Sequence, residues 1–109
     1  MISNAKLIFF ALILLAVLLE VVADILFKKW SINNKNLLLI IGLLIYFAGT
    51  IFWAFSLKYE YISKAIVLFT VLNLIIIVLA GMLIFKENLS LTNKIGILLG
   101  ILSVVLIEL

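Results

Sequence analysis

Short polar connectors divide this chain into successive apolar runs, and the length of those runs is its strongest constraint. At about 1.5 Å of rise per residue, roughly 20 apolar residues in a helix cross the ~30 Å hydrocarbon layer of a bilayer. Backbone amides in lipid have no water to bond, so such runs close their hydrogen bonds internally as helices. Four runs are present: Leu7–Phe27, Leu37–Leu57, Ala65–Phe85 and a shorter Ile95–Leu109. Between them lie Lys28–Asn36, rich in Asn, Ser and Lys, then Lys58–Lys64, which carries Tyr59 and Tyr61, and Lys86–Lys94, with Asn88 and Ser90 as turn formers. The pattern predicts an all-α membrane protein, a single four-helix transmembrane domain over residues 1–109.

Composition narrows the function further. With 69% hydrophobic and 12% charged residues in 109, and a mean hydropathy of +1.53, nothing is left over for a water-facing domain. Cys and His are both absent, which removes disulfides, thiol nucleophiles, zinc sites of the usual kind and imidazole acid–base catalysis. No phosphate-binding Gly-rich loop or metal-ligand cluster appears, so no enzyme activity, metal or cofactor is expected. The net charge of +3 comes from lysines in the connectors and at the ends of apolar runs, where they anchor helices at the headgroups. No nucleic-acid binding is read from them. Lys6 ahead of an apolar run, with Val21-Val22-Ala23 as a weak cleavage site, resembles a signal peptide. The run exceeds a usual signal-peptide apolar region, and the expectation is a retained helix.

Four spans would put Lys6, Lys58 and Lys64 on one side and Lys28, Lys29, Lys35, Lys86 and Lys94 on the other. This modest bias favours connectors one and three in the cytoplasm and also permits insertion both ways.

Glu20 is the residue that demands a function. An acid near a helix centre costs about 2.5–3.5 kcal/mol on insertion scales, and such groups face a bundle interior or a wet cavity. On a 3.6-residue helix its neighbours include Ala16, Ala23 and Asp24, and the two alanines are expected to leave room beside the carboxylate. Leu14, Leu18, Val22 and Ile25 on the opposite face read as lipid contacts. Loss of hydration penalises a bare carboxylate, so Glu20 is expected to hold a proton or a cation, one displacing the other. Four helices alone cannot easily enclose a pathway, which makes a dimer the expected working unit.

Other polar and aromatic residues carry two readings each. Asp24, with Lys28 four residues ahead, fits a helical ion pair or a second carboxylate at the cavity mouth. Asn73, at depth in the third run, fits interhelical glue or headgroup recognition, while Thr70 can bond its own helix backbone. Phe52, Trp53 and Phe55 fit ordinary packing or a cation-binding aromatic wall. Gly96, Gly100 and Ser103 give the last run a narrow face suited to a dimer seam.

Taken together, these features resemble the small multidrug resistance family within the drug/metabolite transporter superfamily. The likeness rests on Leu19-Glu20-Val21-Val22-Ala23-Asp24-Ile25-Leu26-Phe27-Lys28, on Phe52-Trp53, on Tyr61-Ile62 and on Phe85-Lys86-Glu87-Asn88-Leu89-Ser90-Leu91, and is nearest to polyamine-exporting members. It implies four helices per chain, a dimer of identical chains (antiparallel included) or of paralogues, and proton-coupled export of small organic cations through a shared Glu20. A prokaryotic plasma membrane, the cell inner membrane, is implied as the location. Gly96, Gly100 and Ser103 fall where that family dimerises. The family's third-helix Tyr and Trp correspond here to Leu68 and Val71, and its Gly-Val-Gly hinge to Asn73-Leu74-Ile75. Leu72-Asn73-Leu74 is similar to small flippase subunits for sugar-linked lipids. A lipid flippase subunit is therefore the alternative, with a non-transporting membrane subunit as a third reading.

Overall fold

The computed structural model describes residues 4–109, the side chain of Glu108 excepted. Four helices follow one another: α1 (Asn4–Asn33), α2 (Asn36–Ser56), α3 (Ile62–Ile84) and α4 (Leu91–Glu108). The first three are long and apolar enough to cross a membrane, and Leu91–Ile107 is a shorter apolar helix. The expectation of an all-helical membrane protein is met at that level.

All four helices start earlier than the apolar runs, and α1 also runs further at its C-terminal end, while α2, α3 and α4 each stop one residue short. Lys28–Ile32, expected in a water-exposed turn, continues α1, since polar residues without Gly or Pro do not break a helix. The turn shrinks to Asn34 and Lys35. Asn34 takes the left-handed conformation at φ 59°, which Asn tolerates, and its amide donates to the Trp30 carbonyl at 2.7 Å. The Trp30 indole N–H donates to Asn36 Oδ1 at 3.3 Å across the same turn. At the other end of the chain α4 starts at Leu91 rather than Ile95. Ser90 caps it, its Oγ accepting the Asn93 amide at 3.1 Å, as a side-chain oxygen does for an orphan first-turn donor.

α1 and α2 pack antiparallel and touch backbone to backbone. A Cβ on Gly49 would stand 3.3 Å from the Ala16 carbonyl and 3.2 Å from Leu19 Cβ, and one on Gly42 would stand 3.4 Å from the Ala23 carbonyl and 2.7 Å from the Phe27 ring. Each pair is spaced by two helical turns, so one face of small residues meets another. Ala16 and Ala23 are fully buried there. Phe9, Ile13, Val17 and Val21, each one turn on from the last, form the core with Ala65 and Leu68 of α3. Leu14, Leu18 and Val22 are exposed as expected, whereas Ile25 packs against that core. Elsewhere apolar side chains point outward, among them Leu44, Phe47 and Leu83, the inverted pattern of a chain whose solvent is lipid. α4 packs chiefly on α3. The bundle is only 20 Å across its thinnest direction, which leaves its recesses open at the side.

The seam yields a contrast measurable by thermal unfolding in detergent. Gly49→Leu should cost about 1–3 kcal/mol by overpacking. Gly96→Ala, where an added Cβ meets nothing within 4 Å, should be neutral or gain up to about 1 kcal/mol from helix propensity.

Candidate functional site

Glu20 stands half-buried on α1, and the α1–α2 seam sets its surroundings. Its Cγ lies 3.3 Å from where a Gly49 Cβ would be, so the missing side chain is what admits the acid's stem between the helices. The carboxyl end lines a recess of about 340 Å³ shared with Tyr46, Thr50 and Trp53 of α2 and Ile66 and Phe69 of α3. Tyr46, Thr50 and Trp53 follow at four- and three-residue steps, which places them on one helical face. Trp53 and Phe69 form an aromatic pair with centroids 4.9 Å apart and planes tilted by 54°. The Thr50 hydroxyl donates to the Tyr46 carbonyl at 3.0 Å, tying it to its own helix. One carboxyl, one phenol and an aromatic wall form a site that can hold an organic cation by charge and by π faces.

Asp24 belongs elsewhere. One turn along α1 it lines a second recess, about 180 Å³, with Ile25 and Lys28 of α1, Ile77 and Gly81 of α3, and Phe85 and Glu87 beyond its end. Among the described residues no ion pair joins Asp24 to Lys28. The Glu87 carboxylate lies over Gly81, its Oε1 2.5 Å from where a Cβ would stand, and its amide donates to the Gly81 carbonyl at 3.1 Å. Glu20 and Asp24 therefore line separate recesses, at different levels along α3, that share no lining residue.

The other residues singled out from sequence are distributed as follows. Ala16 and Ala23 do not line the Glu20 recess. Both are covered by the α2 glycines, because the space their short side chains leave is taken up by backbone approach. Trp53 lines the recess and Phe52 does not. Lys58 lies over the Phe55 ring at 5.1 Å to its centroid, rather than beside Trp53. Asn73 is absent from the recess as well, and its Oδ1 is buried without a hydrogen-bond partner among the described residues. In α4, Gly100 would just touch Leu74 at 4.0 Å, Gly96 faces open space, and the Ser103 hydroxyl donates to the Leu99 carbonyl at 3.1 Å. Tyr46, Thr50, Ile66 and Phe69 escaped the sequence reading. The spacing of Tyr46 and Thr50 from Trp53 was the available signal.

Two measurements probe this geometry. In a Trp30→Phe background, which leaves Trp53 as the fluorophore, an aromatic quaternary ammonium ion should quench emission. Trp53→Leu, followed by equilibrium dialysis, should weaken its binding by about two- to thirtyfold, the worth of a cation–π contact of about 0.5–2 kcal/mol. Asn73→Leu should hold or raise the unfolding temperature in detergent, since it removes an unsatisfied buried acceptor whose cost is about 1–3 kcal/mol. A large fall would mean that the amide is paired after all.

The sequence profile of the EamA-like transporter family matches residues 2–109. No curated protein and no solved structure matches the chain.

Proposed function

This chain belongs to the EamA-like transporter family of the drug/metabolite transporter superfamily, and from that premise we propose that it is a proton-coupled antiporter exporting small organic cations, quaternary ammonium or polyamine in kind, with Glu20 as the exchange site. The carrying observation is the recess in which the half-buried Glu20 carboxyl meets Tyr46, Trp53 and Phe69. A carboxyl in that position is neutralised by a proton or by a cation, and occupancy by either excludes the other. Both occupants remove the cost of carrying a bare charge through the apolar phase. Competition for one group is sufficient to couple the two fluxes in opposite directions.

The thin bundle supports a second chain as the other wall. One chain leaves the recess open at its side, and a partner copy or a paralogue would complete a central cavity with its own acid. α4, the shorter apolar helix, would then cross the membrane as the fourth span and meet its counterpart along Gly96, Gly100 and Ser103. In this reading the protein sits in a prokaryotic plasma membrane and works as members of the small multidrug resistance family do. The recess favours a cation over the lipid headgroup of the flippase alternative, because its walls supply one acid and aromatic faces, while Asn73 does not reach it.

The test is proton release. Adding an aromatic quaternary ammonium ion to the detergent-solubilised protein in weak buffer should acidify the medium, and Glu20→Gln should abolish both that signal and proton-driven uptake into vesicles while preserving the helical circular dichroism. Retained coupling in Glu20→Gln would refute the assignment.

A further inference from the structure

Between α3 and α4 lies a groove that the transport site does not use. The two helices meet where Leu74 Cδ2 comes to 4.0 Å of a Cβ built on Gly100, and one turn earlier along α4 the Cβ of a residue at 96 would find nothing within 4 Å. The bare backbone of Gly96 therefore borders open space in the groove it lines with Leu74 and Val78. The space between the two helices is about 370 Å³, walled by the apolar side chains of Leu74, Val78, Leu89 and Ile97, within the usual range for a bound small ligand. Thr92 and Asn93 also line it, so its polar residues gather in the first turn of α4.

That mouth faces the basic end of the molecule. The third connector lies beside the C-terminal part of α1, since Lys28 shares a recess with Phe85 and Glu87. Lys28, Lys29, Lys35, Lys86 and Lys94 all belong to this end and all are exposed. Lys86 and Lys94 bracket the groove mouth in sequence. The local acid, Glu87, lies over Gly81 in the recess between α1 and α3 and does not line the groove. The arrangement is an apolar slot in the hydrocarbon layer, hydroxyl and amide groups at its rim, and positive charge at the headgroup level. Its complement is an amphiphile with an acyl chain and an anionic head.

We propose that the α3–α4 groove is a binding site for an anionic phospholipid: one acyl chain lies against Leu74, Val78 and Ile97 over the bare backbone of Gly96, and the phosphate meets Thr92, Asn93, Lys86 and Lys94. Gly96 then has a purpose other than close helix packing, which it does not provide within this chain. A resident lipid fills space that apolar side chains leave empty. Basic residues at a membrane surface draw anionic lipids in proportion to their number, and the groove turns that general attraction into a located one. The site does not rest on the Glu20 reading, but an acyl chain over Gly96 would occupy part of the face proposed above for a partner's α4, so at Gly96 the lipid and the partner helix exclude each other.

Native mass spectrometry of the full chain, released from detergent containing equal amounts of phosphatidylglycerol and phosphatidylcholine, tests the site. The unaltered chain should retain phosphatidylglycerol over phosphatidylcholine by on the order of tenfold, as two interfacial lysines provide. Gly96→Leu, which fills the slot, should lose the retained lipid altogether. The Lys86→Gln/Lys94→Gln pair should still retain lipid but lose the preference, whereas Lys58→Gln/Lys64→Gln, removing equal charge from the other end, should keep it. Circular dichroism of each variant confirms that the helices persist. Equal retention of the two lipids by the unaltered chain, undiminished phosphatidylglycerol on Gly96→Leu, or the same loss of preference from Lys58→Gln/Lys64→Gln would overturn the proposal.

Discussion

The contact of α1 with α2 along Ala16, Ala23, Gly42 and Gly49 is the arrangement on which the rest depends. In lipid the bulk hydrophobic effect no longer drives helices together, and close van der Waals approach between small residues takes its place. The Ala16 and Ala23 carbonyls sit 3.3 and 3.4 Å from positions that only glycine leaves vacant. This approach leaves Ala16 no free surface and brings Tyr46 and Trp53 beside Glu20. A bulkier α2 would push the acid's surroundings apart, because Gly49 borders Glu20 itself.

From that seam the molecule becomes progressively looser. α3 covers the core face of α1 through Ala65 and Leu68, and α4 rests mainly on α3 with no described residue fully buried. The polar groups follow the same gradient. Glu20 lies where three helices meet, Asp24 shares a recess with Lys28 and Glu87, and the α4 polar residues line a groove open at its side. A thin bundle of this kind separates its chemistry into shallow recesses. That suits a transporter of the drug/metabolite superfamily, whose cargo must enter and leave.

Sequence patterning was sufficient for the helices and for placing Glu20 inside one of them, because both depend on a short-range rule. Apolar runs must be helical in lipid, and a carboxyl inside one must meet something polar. Helix ends were less legible: Lys28–Ile32 has turn-like composition yet continues α1, since nothing in it prevents the next hydrogen bond. Ala16 and Ala23 were read as space beside the acid. The same small size serves helix contact once α2 brings its glycines opposite, a fact invisible until the partner helix is known. Tyr46 and Thr50 share a face with Trp53 by spacing alone, but which face turns toward Glu20 is a matter of how α2 is rotated.

The sequence by itself therefore determined the apolar surroundings of this protein, its helical class and the presence of an acid, Glu20, within an apolar run, since each is a property of a single segment. Tertiary structure decided that Glu20 and Asp24 line different recesses, that Asn73 Oδ1 is left without a partner among the described residues, that Gly42 and Gly49 close the α1–α2 seam, and that Gly96 opens a groove instead of closing one. Those outcomes depend on the rotation of one helix against another, set by packing between residues far apart in the chain.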